Sequence, residues 1–190
     1  MDFSAYPQLA NRMKQIRAKL GDKEPLLNKK EWRSAQQSWQ AFTPEQLQTI
    51  EYESGFMPPL GIDGFKYAFN SYLTSEALIA ASPFFRAIPL RDILWIYQET
   101  TKNSVNLVPT SKEIGLMVVT RTGDRYKLFS TTLAPWSKKN PCEAALEFLQ
   151  QNLLPRRPGI ILGYNDKVAQ LAQTNPAALA QCVDEHSVQQ

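Results

Sequence analysis

The sequence predicts an α+β protein: a bent antiparallel sheet capped by a C-terminal helix, with a helical N-terminal subdomain before it and short helices after it. Three observations carry this. Apolar residues recur at spacings of three and four through residues 1–54. The period then changes to two between Phe65 and Phe129. Finally, Asn140-Pro141-Cys142-Glu143 opens an amphipathic stripe that Pro155 ends. The corresponding divisions are a helical subdomain over 1–56, a sheet domain with its capping helix over 64–155, and a partly helical extension over 156–190.

The first helix is read from Phe3, Tyr6, Leu9, Ala10, Met13, Ile16 and Leu20, with Gly21 as its stop. Asn28 stands three before Glu31, a capping-box pattern, and Trp32, Ala35, Trp39 and Phe42 follow at helical spacing. Thr43-Pro44 with Gln46 repeats the start signal, and Leu47, Ile50 and Ser54 face inward. Glycines and prolines crowd Gly55 to Gly64, where helix cannot persist.

Strands are expected from Phe65 to Tyr72, from Ala77 to Ala81, from Phe84 to Ile88 and from Ile93 to Thr100. The last is apolar on both faces, so part of it is covered on both sides. Lys102 to Glu113 reads as polar, with Val105, Leu107 and Val108 available for an edge strand. A hairpin joins Leu116–Thr120 to Arg125–Phe129, with Gly123 supplying the positive φ of its turn. In the helix from Asn140, the residues Ala145, Leu146, Leu149 and Leu153 form the buried stripe, with Phe148 beside them. Gly159 to Gly163 is a short apolar segment, either a crossing strand or a buried extended linker. Helices from Asp166 and from Asn175-Pro176 follow, and the end from Asp184 is read as frayed.

Composition narrows the function classes. The chain has 190 residues, 43% hydrophobic and 21% charged, which is the balance of a folded globular protein. A formal net charge of +3 is small for a nucleic-acid binder, so no nucleic acid is expected as partner. No apolar run reaches the roughly 18 residues of a membrane span. Met1 to Leu20 carries Arg12, Lys14, Arg17 and Lys19 and lacks the apolar core of a secretory signal. Cys142 and Cys182 are the only cysteines and are far apart, which makes neither a disulfide framework nor a zinc site and points to the cytoplasm.

Few residues carry catalytic chemistry. His186, the only histidine, lies near the C-terminus in a polar stretch, so Ser-His and Cys-His dyads within the core are excluded. Cys142 sits in the first turn of a helix, where free N–H groups lower a thiol pKa; the plainer reading is a small residue filling a helix start. Asp92 precedes a buried run and is read as a turn cap or an ion-pair partner. Glu45, Glu51 and Glu53 are read as a solvated face. Gly159 and Gly163 form Gly-x-x-x-Gly without the following Lys-Ser/Thr of a phosphate loop. No cofactor and no metal is expected.

The candidate ligand-binding residues are basic and aromatic. Lys112, Arg121, Arg125 and Lys127 border the hairpin, Lys138 and Lys139 precede the helix, and Trp136 follows a proline in the loop between. Converging, they hold an anionic head group, a phosphate or an acidic partner. Dispersed, they are solubilising charge.

Residues 65–154 resemble the pleckstrin-homology-like superfold as found in small bacterial proteins of an uncharacterised family. The resemblance rests on Tyr72-Leu73-Thr74-Ser75-Glu76-Ala77-Leu78-Ile79, on Ile88-Pro89-Leu90-Arg91-Asp92-Ile93-Leu94-Trp95-Ile96-Tyr97, on Leu116 to Phe129, and on the helix from Asn140 to Leu154 with Gly163-Tyr164 after it. It covers about half of the chain and implies a barrel-like bent sheet plugged by its helix, in a module that binds rather than catalyses. The expected function is therefore a non-enzymatic binding or scaffolding module whose partner is a protein or a second copy of the chain. The alternatives are an adaptor that holds anionic lipid head groups through the basic hairpin, and an enzyme whose site is assembled across the fold.

Overall fold

The computed structural model describes residues 3–20, 29–55, 71–80 and 84–188. The features expected at Gly21, at Asn28, over Pro58 to Gly64 and along Phe65 to Asn70 lie outside these residues. The described chain is α+β and falls into two compact units, one reaching to Leu90 and one starting at Arg91.

The first unit contains α1 (Pro7–Leu20), α2 (Lys29–Ser38) with a 3-10 turn at Trp39–Ala41, and α3 (Pro44–Ser54). A small antiparallel sheet follows in the order β1 (Tyr72–Leu73), β2 (Ala77–Ala80), β3 (Arg86–Pro89). The start of α3 is the expected capping box: Thr43 Oγ1 accepts the Gln46 N–H at 3.3 Å, and Gln46 Oε1 accepts the Thr43 N–H at 3.0 Å. The glutamates of α3 differ from expectation. Only Glu45 stays exposed. The Glu51 carboxylate accepts the Gln8 N–H at 2.5 Å and the Leu9 N–H at 2.9 Å, so it caps the first turn of α1 from a neighbouring helix. Glu53 accepts the Ser75 N–H at 2.6 Å and ties α3 to the β1–β2 turn. The core of this unit joins Leu9, Trp39, Phe42, Ile50, Tyr72, Ile79 and Phe85. The aromatic face predicted for the N-terminal helices is thus buried within their own unit, against the small sheet.

The second unit contains β4 (Ile93–Val105), β5 (Val108–Thr120), β6 (Arg125–Leu133), α4 (Pro141–Asn152), β7 (Ile161–Leu162), α5 (Asp166–Thr174) and α6 (Pro176–Val188). Its sheet runs β6-β5-β4-β7, antiparallel except that β7 lies parallel to β4. Among the described residues the single closed sheet expected over 64–155 is replaced by two sheets of three and four strands, neither closed into a barrel. Two pairings explain this. Among the described residues β1, β2 and β3 pair only with one another, and the edge of β4 away from β5 is taken by β7. Among the described residues the boundary between units falls at Leu90–Arg91.

Residues 156–188 belong to the second unit. Trp95, Tyr97 and Val119 alternate onto one face of the sheet, where Ala172 of α5 and Leu179 and Val183 of α6 pack on them. The α4 helix lies against β5 with Cys142, Ala145, Leu149 and Leu153 buried, and Asn140 Oδ1 caps it by accepting the Cys142 N–H at 3.2 Å. The apolar run of β4 is buried from Ile93 to Tyr97, with α5 and α6 over its Trp95 face. The end from Asp184 is helical as far as Val188, not frayed.

Candidate functional site

The most exposed apolar surface of the second unit lies at the turn between β4 and β5. Both strands run for 13 residues, so the polar stretch from Lys102 to Glu113 is the outer half of one long hairpin, not a loop with an edge strand. Its residues favour this: Thr100, Thr101, Val105, Val108 and Thr110 fit a pleated strand. Pro109 falls beside a register shift at Asn103/Ser104, where a missing N–H is tolerated. Side chains cross-link the stem, with Asn103 Nδ2 donating to Ser111 Oγ at 3.1 Å and Thr110 Oγ1 to the Asn103 carbonyl at 3.3 Å.

The tip is a two-residue turn, Asn106-Leu107, between the paired Val105 and Val108. Both turn residues have positive φ, 49° and 67°, as a type I′ turn requires. Asparagine tolerates this conformation; leucine at φ 67° carries a cost of roughly 1–2 kcal/mol that glycine avoids. Leu107 is also 95% exposed, with Val105 and Val108 at 62% and 63%. Neither folding nor solubility favours this tip.

Below it, Lys102 and Lys112 are direct cross-strand partners and so share one face. Like charges in that position repel, and no aspartate or glutamate occurs between residues 100 and 112. The row lies roughly 15 Å from the tip at the rise of a β-strand. On the neighbouring edge, Leu133 ends β6 opposite Lys112, and the Lys112 ammonium donates to the Ser137 carbonyl. This bond holds the loop that carries Trp136, Lys138 and Lys139 against the outer half of the hairpin. Trp136 is 82% exposed, and both loop lysines are exposed.

The other basic residues expected from the sequence do not join this group. Arg121 grips Asp184 of α6 with both guanidinium nitrogens, one at 2.9 Å, and donates from Nε to the Arg91 carbonyl at 2.7 Å. The pairing raises the Arg121 pKa and lowers that of Asp184. Arg121 is thus a strut between the β5–β6 turn and α6. Lys127 pairs with Glu113 at 2.6 Å, a bond that lowers the Glu113 pKa. Arg125 lies beside Tyr97 on the opposite half of the sheet. The turn at Gly123 has the expected positive φ, 81°, yet gathers no cation cluster. The sequence reading missed Lys102, Val105, Leu107 and Val108 as one surface.

Cys142 does not fit a nucleophile. It is fully buried, and burial pushes its thiol up to about 12, against the lowering that a helix start exerts. Neutral-pH alkylation of the folded protein is expected to modify the exposed Cys182 and to spare Cys142 until denaturant is added. Comparable native-state rates at the two thiols, read by peptide mass, would show that the start of α4 is open. His186 is exposed on α6 with its ring nitrogen 2.7 Å from the Cys182 carbonyl. Among the described residues no group of three or more His, Cys, Asp or Glu is placed to hold a metal ion, and no helix is long and apolar enough to cross a membrane.

No protein-family model, curated protein or solved structure matches this chain.

Proposed function

We propose that this chain is a non-catalytic binding module that docks on anionic membrane surfaces through the β4–β5 hairpin. The observation that supports this reading is the exposed tip of Val105, Leu107 and Val108 standing above the Lys102–Lys112 pair on a stem that holds no Asp or Glu over residues 100–112. Interfacial segments sink roughly 5–10 Å into the head-group boundary. With the tip sunk to that depth, Lys102 and Lys112 lie within about one Debye length of the lipid phosphates. Trp136, held at the level of Lys112, places an amphipathic ring where interfacial tryptophans concentrate. A protein partner would meet the same apolar tip, but two lysines facing each other across the stem favour an anionic surface.

Vesicle flotation tests this. The full chain is expected to float with phosphatidylserine–phosphatidylcholine vesicles, to stay behind with phosphatidylcholine alone, and to release as salt rises. At about 1 kcal/mol per lysine, the double variant Lys102→Gln/Lys112→Gln weakens binding roughly 30-fold. Leu107→Gly is expected to weaken it about tenfold while leaving the melting temperature unchanged or raised, because glycine accepts the turn conformation. Absence of flotation, or equal flotation of all variants, refutes the reading. A defined protein captured through the tip by a chain that ignores vesicles assigns the surface to that protein instead.

A further inference from the structure

At the opposite half of the same sheet a cleft of about 410 Å³ opens between β4, β6 and α5. This size falls within the roughly 300–1,000 Å³ of small-molecule sites. Its inner wall is aromatic. Trp95 and Tyr97 are stacked with ring centroids 4.0 Å apart and planes at 21°. Tyr164 tilts against both, at 5.9 Å and 5.7 Å.

The wall is built, not incidental. Gly163 takes φ 89°, its N–H donates to the Ile96 carbonyl at 2.9 Å, and its own carbonyl accepts the Trp95 indole N–H at 2.6 Å. These bonds turn the chain so that Tyr164 comes over the Trp95–Tyr97 stack with 61% of its surface still open. An exposed tyrosine beside two buried aromatics leaves a ring face available to a ligand.

Two opposite charges border this wall. Arg125 of β6 and Glu99 of β4 both line the cleft with Tyr97, where the guanidinium favours the ionised hydroxyl and the carboxylate opposes it. Among the described residues neither has an ion-pair partner. They also do not pair with each other. A free guanidinium takes a carboxylate in bidentate fashion, and a free carboxylate takes an ammonium. A molecule that carries both groups on neighbouring atoms bridges the two.

The geometry points to a binding site for a small zwitterion of the α-amino-acid class: its carboxylate on Arg125, its ammonium on Glu99 and its side chain on the open face of Tyr164. Gln173 of α5 closes the far side with an amide that serves either polar group. The site shares no residue with the hairpin tip and does not depend on it.

Isothermal titration calorimetry of the full chain decides the matter, with L-phenylalanine as probe. Saturable binding is expected, and 3-phenylpropionate and phenethylamine, which each lack one of the charges, are expected to bind at least tenfold more weakly. Arg125→Ala and Glu99→Ala each reduce affinity for L-phenylalanine by tenfold or more, and Tyr164→Ala weakens L-phenylalanine more than it weakens glycine. Circular dichroism and melting temperature confirm that each variant is folded, and Leu107→Gly leaves binding unchanged. No heat with millimolar L-phenylalanine, or equal binding of the singly charged analogues, overturns the inference. Affinity unaltered by Arg125→Ala and Glu99→Ala together overturns it too.

Discussion

Replacing Gly159 by alanine is expected to destabilise the second unit by about 3 kcal/mol or more, at the upper end for forcing extra volume into a packed site. An added Cβ there would fall inside contact distance of the Val183 carbonyl oxygen and of Ser187 Oγ, with the Val183 carbonyl carbon at 2.8 Å. The first and last of these atoms are helix backbone and cannot rotate away. The same approach carries hydrogen bonds: the Gly159 N–H donates to Ser187 Oγ at 3.2 Å, and that hydroxyl donates to the Val183 carbonyl at 2.8 Å. Alanine therefore displaces α6, and with it Leu179 and Val183 from the Trp95 face and Asp184 from Arg121. At roughly 2–4 °C per kcal/mol for a chain of this size, the melting temperature should fall by about 6–12 °C. Ser187→Ala serves as the comparison. It removes the hydroxyl bridge without adding volume and should cost only about 1 kcal/mol. Equal losses for the two variants, or an alanine at 159 without effect, would show that α6 does not sit against this glycine.

The requirement at Gly159 also shows which features were legible in the sequence. Gly-x-x-x-Gly was visible and was recognised as no phosphate loop, yet its purpose depends on a helix 24 residues onward whose approach no local pattern encodes. Signals that act over three or four residues were readable. The Thr43–Gln46 capping box, the Asn140 cap with Pro141, and the positive φ of Gly123 each follow from local hydrogen bonding or backbone sterics. Partitioning of the strands was not readable. Whether β3 continues a sheet with β4, and whether β4 accepts β7, depends on pairings between distant segments that alternation alone does not specify. The role of Glu51 was hidden for the same reason, since its acceptor contact reaches back 42 residues.

The candidate surfaces were legible in proportion to how far they rest on residue type. Trp136 after a proline reads as an open aromatic, and it is one. The cations around the Gly123 turn read as one group because strand neighbours look convergent on paper. Arg121 instead finds Asp184 at a separation of 63 residues, and Lys127 finds Glu113 across the sheet. The hairpin tip was concealed by its turn residues. Asn-Gly at 106–107 would have marked a type I′ turn at once, whereas Asn106-Leu107 reads as the middle of an edge strand. The substitution that hides the turn from the sequence is the one that gives the tip its most exposed apolar side chain.

Trp39→Ala is expected to cost the first unit about 3–5 kcal/mol, the range for truncating a buried tryptophan. Trp39 is 1% exposed and stands at the centre of an aromatic cluster. Phe3 meets it edge-on at 5.1 Å and 87°, Phe85 lies at 5.0 Å, and Phe42 at 6.4 Å. Its indole N–H also donates to the buried Phe85 carbonyl at 2.9 Å. Phe85 holds φ 52°, a left-handed conformation that a phenylalanine enters only when its surroundings impose it. Alanine thus removes ring packing, opens a cavity and leaves a buried carbonyl without a donor, all at the residue that turns the chain into β3. Trp39→Phe separates the contributions: it keeps most of the ring area and loses the N–H, so it should cost about 1–3 kcal/mol from the orphaned carbonyl. Denaturant midpoints for the two variants, followed by circular dichroism so that the lost fluorophore does not matter, give the partition. A phenylalanine variant as unstable as the alanine variant would assign the effect to the hydrogen bond and the Phe85 turn. An alanine variant within about 1 kcal/mol of the parent would be incompatible with a core centred on this ring, because most exposed substitutions change stability by no more than about 0.5 kcal/mol.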